Sequence, residues 1–345
     1  MEFNMESEKI FLTWHQQVEK LASRNLYFSD KNEKEQAKQI LQNNSYYALV
    51  NGYKNILNVV CVDGEDDFQG ESFHDLNQSY NFDKELSAII FKYLLRIEDS
   101  IKAIFSYYLG EQFGHKNIDY LLEANYKSGN YVNNAGKYER DILLDKLNKI
   151  ISESNAVQIK HYREGHGYAP PWVLASSVSL DTLMYWFKLS RPNIKKQVVK
   201  TLLYDYEQYP FSHITSIEEN IELFSNMMTI VKEYRNRAAH GNRIMNHLSK
   251  HNLRIHLIQL YSDNRIELYE EYKNGSLNRD FFSLCVTMVI MLSKREDMKN
   301  KFIFELQQLF KNLEKENYAL YKLLMSNIKL PSDFDELLKG IINKK

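Results

Sequence analysis

The chain has 345 residues, of which 44% are apolar and 26% are charged, and its formal net charge is −1. This composition is ordinary for a soluble globular protein, and the net charge by itself gives no sign of nucleic-acid binding. Only 12 Gly and 5 Pro are present, which is too few for the many turns of an all-β fold. The sequence therefore predicts an all-α fold, with one large domain or two modest ones.

The amino terminus and the apolar segments predict a cytoplasmic protein. The first residues, MEFNMESEKIF, carry acids where a signal peptide has basic residues, and no apolar segment follows them. The longest apolar run, residues 284–292, is about half as long as a membrane-spanning helix requires. Cys61 and Cys285 could form one disulfide. Both lie among apolar residues, however, so buried thiols in a reducing compartment are favoured.

Three segments are predicted along the chain. Residues 1–62 form an N-terminal helical segment, and the acidic stretch 63–78, which has no apolar periodicity, is predicted to be a loop and an internal boundary. A helical domain over 79–300 follows. It opens with a long helix whose apolar residues recur at three- and four-residue steps as far as Gly110. Residues 301–345 are predicted to form C-terminal helices.

The most informative predicted helix covers residues 217–240. Ser216 and Glu219 have the spacing of a capping box at its start, and Gly241 can end it in the left-handed conformation. Its apolar residues form one stripe: Ile217, Ile221, Phe224, Met228 and Val231. The stripe continues to Arg235, so the core-facing side of the helix ends in an arginine, and that arginine requires a partner.

Arg235 and His240 have the spacing R-x4-H, and the polar Asn236 directly follows the arginine. On a helix, Asn236 and His240 share one face and are close enough to interact. An arginine can stabilise a phosphate and a histidine can move a proton, so these residues are candidates for phosphodiester chemistry. About one match to any of the spacings R-x4-H, R-x5-H and R-x6-H is expected by chance in a chain of this composition, so an ion-paired arginine beside a helix-end histidine is the alternative.

The string RNRAAHGNRI (residues 235–244) resembles the signature of HEPN ribonucleases, and specifically that of the Abi-like family of bacterial abortive-infection proteins (AbiD/AbiF type). Further segments resemble the same family in the expected order: NNSYYALVNGY (43–53), SFHDLNQSYNFDKEL (72–86), FKYLLRIEDSIKAIFSYYLGEQFG (91–114) and HYREGHGYAPPWVLASSVSLDTLMYWF (161–187). The likeness covers roughly residues 30–300. It implies an all-α, HEPN-type helical bundle with additional N- and C-terminal helices.

The resemblance also implies an activity and a set of catalytic residues, namely Arg235, Asn236 and His240. The implied reaction is metal-independent RNA cleavage by the ribose 2′-hydroxyl, with no cofactor. One motif per chain supplies one proton carrier, so a homodimer that joins two motifs is expected. The family implies phage defence or the toxin role in a toxin–antitoxin pair, with a cognate antitoxin RNA or protein as partner and no membrane. Glu98 and Lys102 are interpreted as a surface i,i+4 pair without a catalytic role.

Basic residues are concentrated in two segments. Residues 188–200 contain five of them and no acid, and residues 232–254 contain six and one acid. Local positive charge of this kind is what a phosphate-binding surface requires. The predicted RNA-binding residues are Arg237, Arg243, Lys188, Lys195 and Lys196. The alternative is that each cluster is an ordinary solvated helix face.

Two other functional classes stay open. One is a non-catalytic helical module that binds RNA through the same basic cleft, and the other is an interaction protein that binds no nucleic acid. His161 with His166, and His251 with His256, are weak candidates for a metal site, because neither pair has a cysteine or carboxylate partner at convincing zinc-ligand spacing. No metal ligand is therefore predicted.

Overall fold

The computed structural model describes residues 10–203, 216–254 and 278–341, and it confirms the predicted all-α class. The protein is 70% helical, and the described strands form only two short two-stranded sheets. The HEPN-type topology of the bundle stays a prediction. Within the described residues, no helix combines the length and the apolarity that are needed to cross a membrane.

Helices make up nearly all of the regular structure. In chain order, the described helices and strands are α1 (Trp14–Ser23), α2 (Lys31–Asn43), β1 (Val60–Val62), β2 (Glu65–Asp67), α3 (Phe73–Phe113), α4 (Asn117–Tyr120), β3 (Tyr131–Val132), β4 (Lys137–Tyr138), α5 (Glu139–Glu153), α6 (Val157–His166), α7 (Pro171–Ser177), α8 (Leu180–Leu189), α9 (Pro192–Leu202), α10 (Ile217–Ala239), α11 (Phe281–Met291), α12 (Glu296–Glu316), α13 (Tyr318–Ile328) and α14 (Phe334–Gly340). A π-helical turn covers Tyr47–Asn51, and 3-10 turns cover Lys54–Ile56 and Glu123–Asn125.

The chain divides into two compact units. Unit 1 contains residues 1–86 and 308–328, and unit 2 contains residues 87–307 and 329–345. The predicted three-segment division of the chain stays a prediction, because compactness alone does not show which segments fold independently. All candidate site residues belong to unit 2.

The stretch 63–78 is structured, which corrects its interpretation as a loop. β1 and β2 pair as an antiparallel hairpin, and α3 begins soon after it, at Phe73. The Ser72 hydroxyl accepts a hydrogen bond of 2.9 Å from the Asp75 amide, which satisfies an amide in the first turn of the helix. Phe73 and Leu76 are buried. Two apolar residues one turn apart hold this part of the helix, too few to show as periodicity in the sequence.

Both cysteines are free thiols. Cys285 is buried in α11, as predicted, but Cys61 is exposed. The prediction for Cys61 is wrong because β1 is exposed along its whole length, in a hairpin too small to bury its apolar residues.

α3 continues past Gly110, where the sequence predicted its end, and stops at Phe113. Gly114, with φ of 91°, provides the left-handed termination instead. Gly110 lies inside α3 and faces α7, since a Cβ atom at this position would lie 3.4 Å from the Pro171 ring and 3.6 Å from the Trp172 ring. These are ordinary van der Waals distances, so Gly110 neither ends the helix nor is required by the packing of α7.

Aromatic side chains form the core of unit 2 around the helices that carry the candidate site. The Trp186 ring of α8 packs edge-to-face on Phe105 of α3, with 5.4 Å between ring centroids. Phe187 packs on Phe224 of α10 in the same way at 5.1 Å. The buried Trp186 indole donates a hydrogen bond of 2.9 Å to the Tyr126 hydroxyl, so its polar atom is satisfied. These contacts fix α3, α8 and α10 against one another.

Candidate active site

The helix that carries the R-x4-H motif forms as the sequence predicts. The Ser216 hydroxyl accepts a hydrogen bond of 3.3 Å from the Glu219 amide, and α10 then runs from Ile217 to Ala239. His240 is the C-cap residue, and Gly241, with φ of 65°, ends the helix in the left-handed region. The motif therefore occupies the last turn of the helix and the residue directly after it.

Arg235 continues the buried stripe of α10. The residues before it on this face, Phe224, Met228 and Val231, are at most 2% exposed. The Arg235 side chain is 28% exposed, and its Nε donates a hydrogen bond of 3.0 Å to Oε2 of Glu98 on α3. The predicted need for a partner is confirmed, and the partner is a carboxylate from a distant part of the chain.

Glu98 lies between two cations. Its Oε1 pairs with the Lys102 ammonium at 2.9 Å, while Oε2 accepts from Arg235. The predicted i,i+4 pair with Lys102 therefore forms, but its interpretation as a surface pair is wrong, because Glu98 is only 3% exposed. Glu98 is buried because it lies between Leu94 and Ile101, both on the core-facing side of α3. A buried carboxylate with two cations leaves one net positive charge at this place.

Asn236 is oriented by its neighbour, since its Oδ1 accepts a hydrogen bond of 3.2 Å from Nη1 of Arg235. The predicted interaction between Asn236 and His240 is present only in the backbone, where the His240 amide donates to the Asn236 carbonyl at 3.1 Å. The His240 side chain is exposed, and among the described residues it makes no hydrogen bond or ion pair. The site thus combines an anchored arginine with an imidazole that is open to solvent.

The segment after the motif is held by Arg237. Its Nε and Nη2 donate hydrogen bonds of 3.1 and 2.9 Å to the carbonyl oxygen of Arg243. Two parallel donors on one oxygen close the chain into a turn directly after His240. Arg237 and Arg243 are both half-buried, so the guanidinium of Arg237, predicted to bind RNA, has a local structural role as well.

Glu233 fixes the next part of the same segment. Its carboxylate accepts hydrogen bonds from the Ser249 hydroxyl at 2.8 Å, the Lys250 amide at 3.0 Å and the His247 ring at 2.9 Å. Burial alone would raise the pKa of Glu233, but these donors outweigh it and hold the pKa below its usual range. Burial, and then the charge of Arg237, lower the pKa of His247. The contact between His247 and Glu233 is therefore a hydrogen bond from a neutral imidazole at neutral pH.

A family model for Abi-like proteins matches residues 39–246 of the chain. The chain belongs to the Abi-like protein family. All of the predicted site residues lie within the matched segment, as do Glu98 and Lys102. Searches of curated proteins and of solved structures gave no match for this Abi-like protein. Its family points to abortive infection, a form of phage defence.

The predicted lysines of this Abi-like protein lie on α8 and α9. The Lys188 ammonium pairs with the Glu139 carboxylate at 2.9 Å. Lys195 donates to the Lys188 carbonyl and lies 5.6 Å from the Phe187 ring centroid. Lys196 is exposed, and it makes no ion pair or hydrogen bond with the part of the chain that the structure describes. The structure thus brings Lys188 and Lys195 together and leaves Lys196 on the outer side of α9.

The weak metal candidates that the structure describes do not form a ligand set. The His161 and His166 rings pack on each other with 5.9 Å between centroids. His251 is exposed, and His256 lies outside the described residues. Across residues 10–203, 216–254 and 278–341, no group of three His, Cys, Asp or Glu side chains could hold a metal ion.

Proposed function

We propose that this Abi-like protein is a HEPN-type endoribonuclease that cleaves RNA without a metal ion and acts in phage defence or as the toxin of a toxin–antitoxin pair. The proposal is carried by the presence, near the end of one helix, of an arginine anchored on buried Glu98 and of the exposed His240 imidazole, which makes no hydrogen bond or ion pair with the described residues. These are the two groups that phosphodiester cleavage by an internal nucleophile needs. The family membership supports the defence role.

In the proposed reaction, the ribose 2′-oxygen attacks the adjacent phosphorus as its proton passes to a base. The bond from phosphorus to the 5′-oxygen breaks, and that oxygen receives a proton from an acid. The products are a 2′,3′-cyclic phosphate and a 5′-hydroxyl. His240 is one of the two proton carriers. Arg235 stabilises the extra negative charge on the phosphoryl oxygens in the transition state, and Asn236, held by Arg235, orients a phosphate oxygen.

A single chain supplies one such histidine, whereas the reaction uses both a base and an acid. We therefore propose that two chains form a two-fold symmetric dimer in which both His240 side chains face one scissile phosphate. The exposure of His240 in the single chain supports this arrangement, because the imidazole is accessible to a second copy. Differently tagged subunits can be co-expressed to isolate a dimer of wild type with His240→Ala. A shared site predicts an inactive mixed dimer, whereas half of the wild-type activity would show that each chain acts alone.

The activity test uses purified protein, end-labelled RNA and EDTA. Wild type is expected to produce ends with a 2′,3′-cyclic phosphate, and a 2′-deoxy nucleotide at the cleaved position is expected to block the reaction. His240→Ala should lower the rate by about 10²- to 10⁴-fold. The matched control is His251→Ala, which removes another exposed histidine and should leave the rate unchanged. Equal rates for the two variants, or cleavage that EDTA abolishes, would refute the proposal.

The same experiment separates the non-catalytic alternative. Salt-dependent RNA binding without cleavage, equal in wild type and His240→Ala, would identify an RNA-binding module instead. In cells, wild-type expression should slow growth more than Arg235→Ala or His240→Ala, and a cognate antitoxin RNA or protein should relieve the effect. Equal growth of all three strains would argue against a toxic ribonuclease.

A further inference from the structure

A cavity of about 290 Å³ lies between α8, α9 and α10. Its apolar wall includes Met184, Tyr185 and Phe187 of α8 and Met228 of α10. Lysines from all three helices reach its edge: Lys188, Lys195 and Lys232. We call this cavity the α8–α10 pocket. A planar apolar ligand with a negative charge matches such a lining.

Two of the three lysines are already neutralised. The Lys188 ammonium pairs with Glu139 at 2.9 Å, and the Lys232 ammonium pairs with Asp181 at 2.8 Å. Both pairs are partly exposed and therefore weak. They nevertheless place a carboxylate beside each cation, so neither lysine adds net positive charge to the pocket.

Lys195 differs from these two lysines. It has no acidic partner among the described residues, and its ammonium lies over the Phe187 ring and donates to the Lys188 carbonyl. Burial, and then the positive charges of Lys127 and Lys188, lower the pKa of Lys195 to about 8. A half-buried ammonium that is surrounded by other cations and apolar groups, as that of Lys195 is, is stabilised when an anion binds to it. The net positive charge of the pocket is therefore concentrated on Lys195.

The pocket lies on the face of α10 that leads to the candidate active site. Ser225, Thr229 and Lys232 line it, and the same three- and four-residue steps continue to Asn236 and then to His240. Two turns of helix separate the middle of this lining from Asn236, which corresponds to about 11 Å along the axis. A strand of RNA held at the R-x4-H motif would extend to the pocket within a few nucleotides.

We propose that the α8–α10 pocket binds one nucleotide of a single-stranded RNA substrate, at a position that flanks the scissile phosphate. The base packs against Met184, Tyr185 and Met228, and its phosphate contacts Lys195. Aromatic side chains stack on any base, and a lysine contacts phosphate as a point charge without fixed geometry. The location of the pocket relative to the cleaved bond rests on the proposed function.

The test uses the full-length His240→Ala protein, labelled with ¹³C-methyl methionine, so that binding is observed without cleavage. The Met184 and Met228 methyl signals are assigned with Met184→Leu and Met228→Leu. An RNA octamer is expected to shift both signals in a saturable way. Polyphosphate is expected to leave them in place, because it supplies charge without a base. A mononucleotide is expected to bind at least about tenfold more weakly than the octamer.

Two neighbouring lysines provide a matched pair of variants. Lys195→Met should weaken the octamer-induced shifts by about tenfold. Lys196→Met makes the same change in charge at a residue that the sequence also predicts to bind RNA, but Lys196 lies outside the pocket lining, so the pocket proposal expects it to weaken the shifts less than about twofold. Thr229→Phe, which fills the pocket from α10 and leaves both lysines in place, should also weaken binding. Equal effects of the two lysine variants would show that RNA binding depends only on general electrostatic attraction, and this result would overturn the proposal.

The remaining outcomes are distinct. If neither methionine signal shifts, the pocket proposal is overturned. If the mononucleotide binds as tightly as the octamer, the pocket is a site for free nucleotides and the RNA proposal is overturned. If wild type cleaves RNA but the methionine signals do not move, the pocket proposal fails and the ribonuclease proposal stands. If the signals move but wild type does not cleave, the ribonuclease proposal fails and the pocket stands. In active protein, Lys195→Met should raise KM by about tenfold with little change in kcat.

Discussion

The Nε atom of Arg235 lies 3.0 Å from Oε2 of Glu98, although 137 positions separate the two residues in the chain. Glu98 is 3% exposed, whereas the Arg235 side chain is 28% exposed. The carboxylate is therefore fixed inside unit 2, and the guanidinium is anchored at its inner edge and open at its outer edge. A partner that fixes one edge of an arginine in this way sets the direction of its remaining donors.

Glu98→Gln tests whether this anchor positions Arg235 for catalysis. The substitution keeps the shape of the side chain and removes the charge that orients the guanidinium. For the proposed ribonuclease, we expect kcat to fall by about 10- to 100-fold and KM to change by less than about threefold, because Glu98 would not touch the substrate. Steady-state cleavage of a short RNA measures both constants. Glu85→Gln, an exposed position on α3, is the control, and a kcat equal to that of the control would show that Glu98 has only a structural role.

Arg235→Lys separates the charge of the arginine from its planar shape. A lysine can still pair with Glu98, so unfolding in urea should show a loss of less than about 1 kcal/mol. Arg235→Ala should cost about 1 to 3 kcal/mol, because it leaves the buried carboxylate with Lys102 alone. Both variants should lose cleavage by about 10²- to 10³-fold, since a lysine lacks the forked donors. Substantial activity in Arg235→Lys would mean that charge alone suffices.

The ends of α10 could be predicted from the sequence because their signals are local. Ser216 and Gly241 determine the termini through their own hydrogen bonding and backbone conformation. The partner of Arg235 could not be identified in this way. The position of Glu98, four residues before Lys102, predicts a surface pair, because this spacing is typical of solvent-exposed pairs. Its place in the apolar stripe of α3 was the better signal, since an acid within such a stripe requires a buried partner.

The turn after the motif could not be predicted from the sequence either, for a different reason. The bonds from Arg237 to the Arg243 carbonyl, and from the segment 247–250 to Glu233, depend on the path of the chain after Gly241. That segment has no apolar periodicity from which its path could be inferred. The α8–α10 pocket likewise depends on how three helices pack, although each of its lysines was visible as part of a basic cluster.

Glu233→Ala tests whether the segment after the motif is held by one carboxylate. Removing it leaves the Ser249 hydroxyl and the Lys250 amide without their acceptor, so we expect a loss of about 1 to 3 kcal/mol in unfolding free energy. Amide hydrogen exchange should become faster at Lys250. Glu222→Ala is the matched control on the same helix, because its pair with Arg254 is about half exposed at both ends and should contribute less than about 1 kcal/mol. Equal stability of the two variants would show that Glu233 does not hold the segment.

Asp280→Asn tests the pH dependence that a buried helix cap produces. Asp280 is 3% exposed, its Oδ1 accepts from the Ser283 amide at 3.1 Å, and burial raises its pKa to about 6. An aspartate in the unfolded chain titrates near pH 3.9. Between about pH 4 and 6, Asp280 therefore keeps its proton in the folded protein and loses it in the unfolded chain, so its contribution to stability falls as pH rises. Asparagine keeps the cap and cannot ionise. The unfolding free energy of Asp280→Asn relative to wild type should therefore rise by about 2 kcal/mol from pH 4 to pH 7.5, as urea titrations at the two pH values would measure. Asp297→Asn, at an exposed position, is the control, and its unfolding free energy relative to wild type should change by less than about 0.5 kcal/mol over the same pH range. An equally small change for Asp280→Asn would mean that Asp280 stays ionised throughout this range.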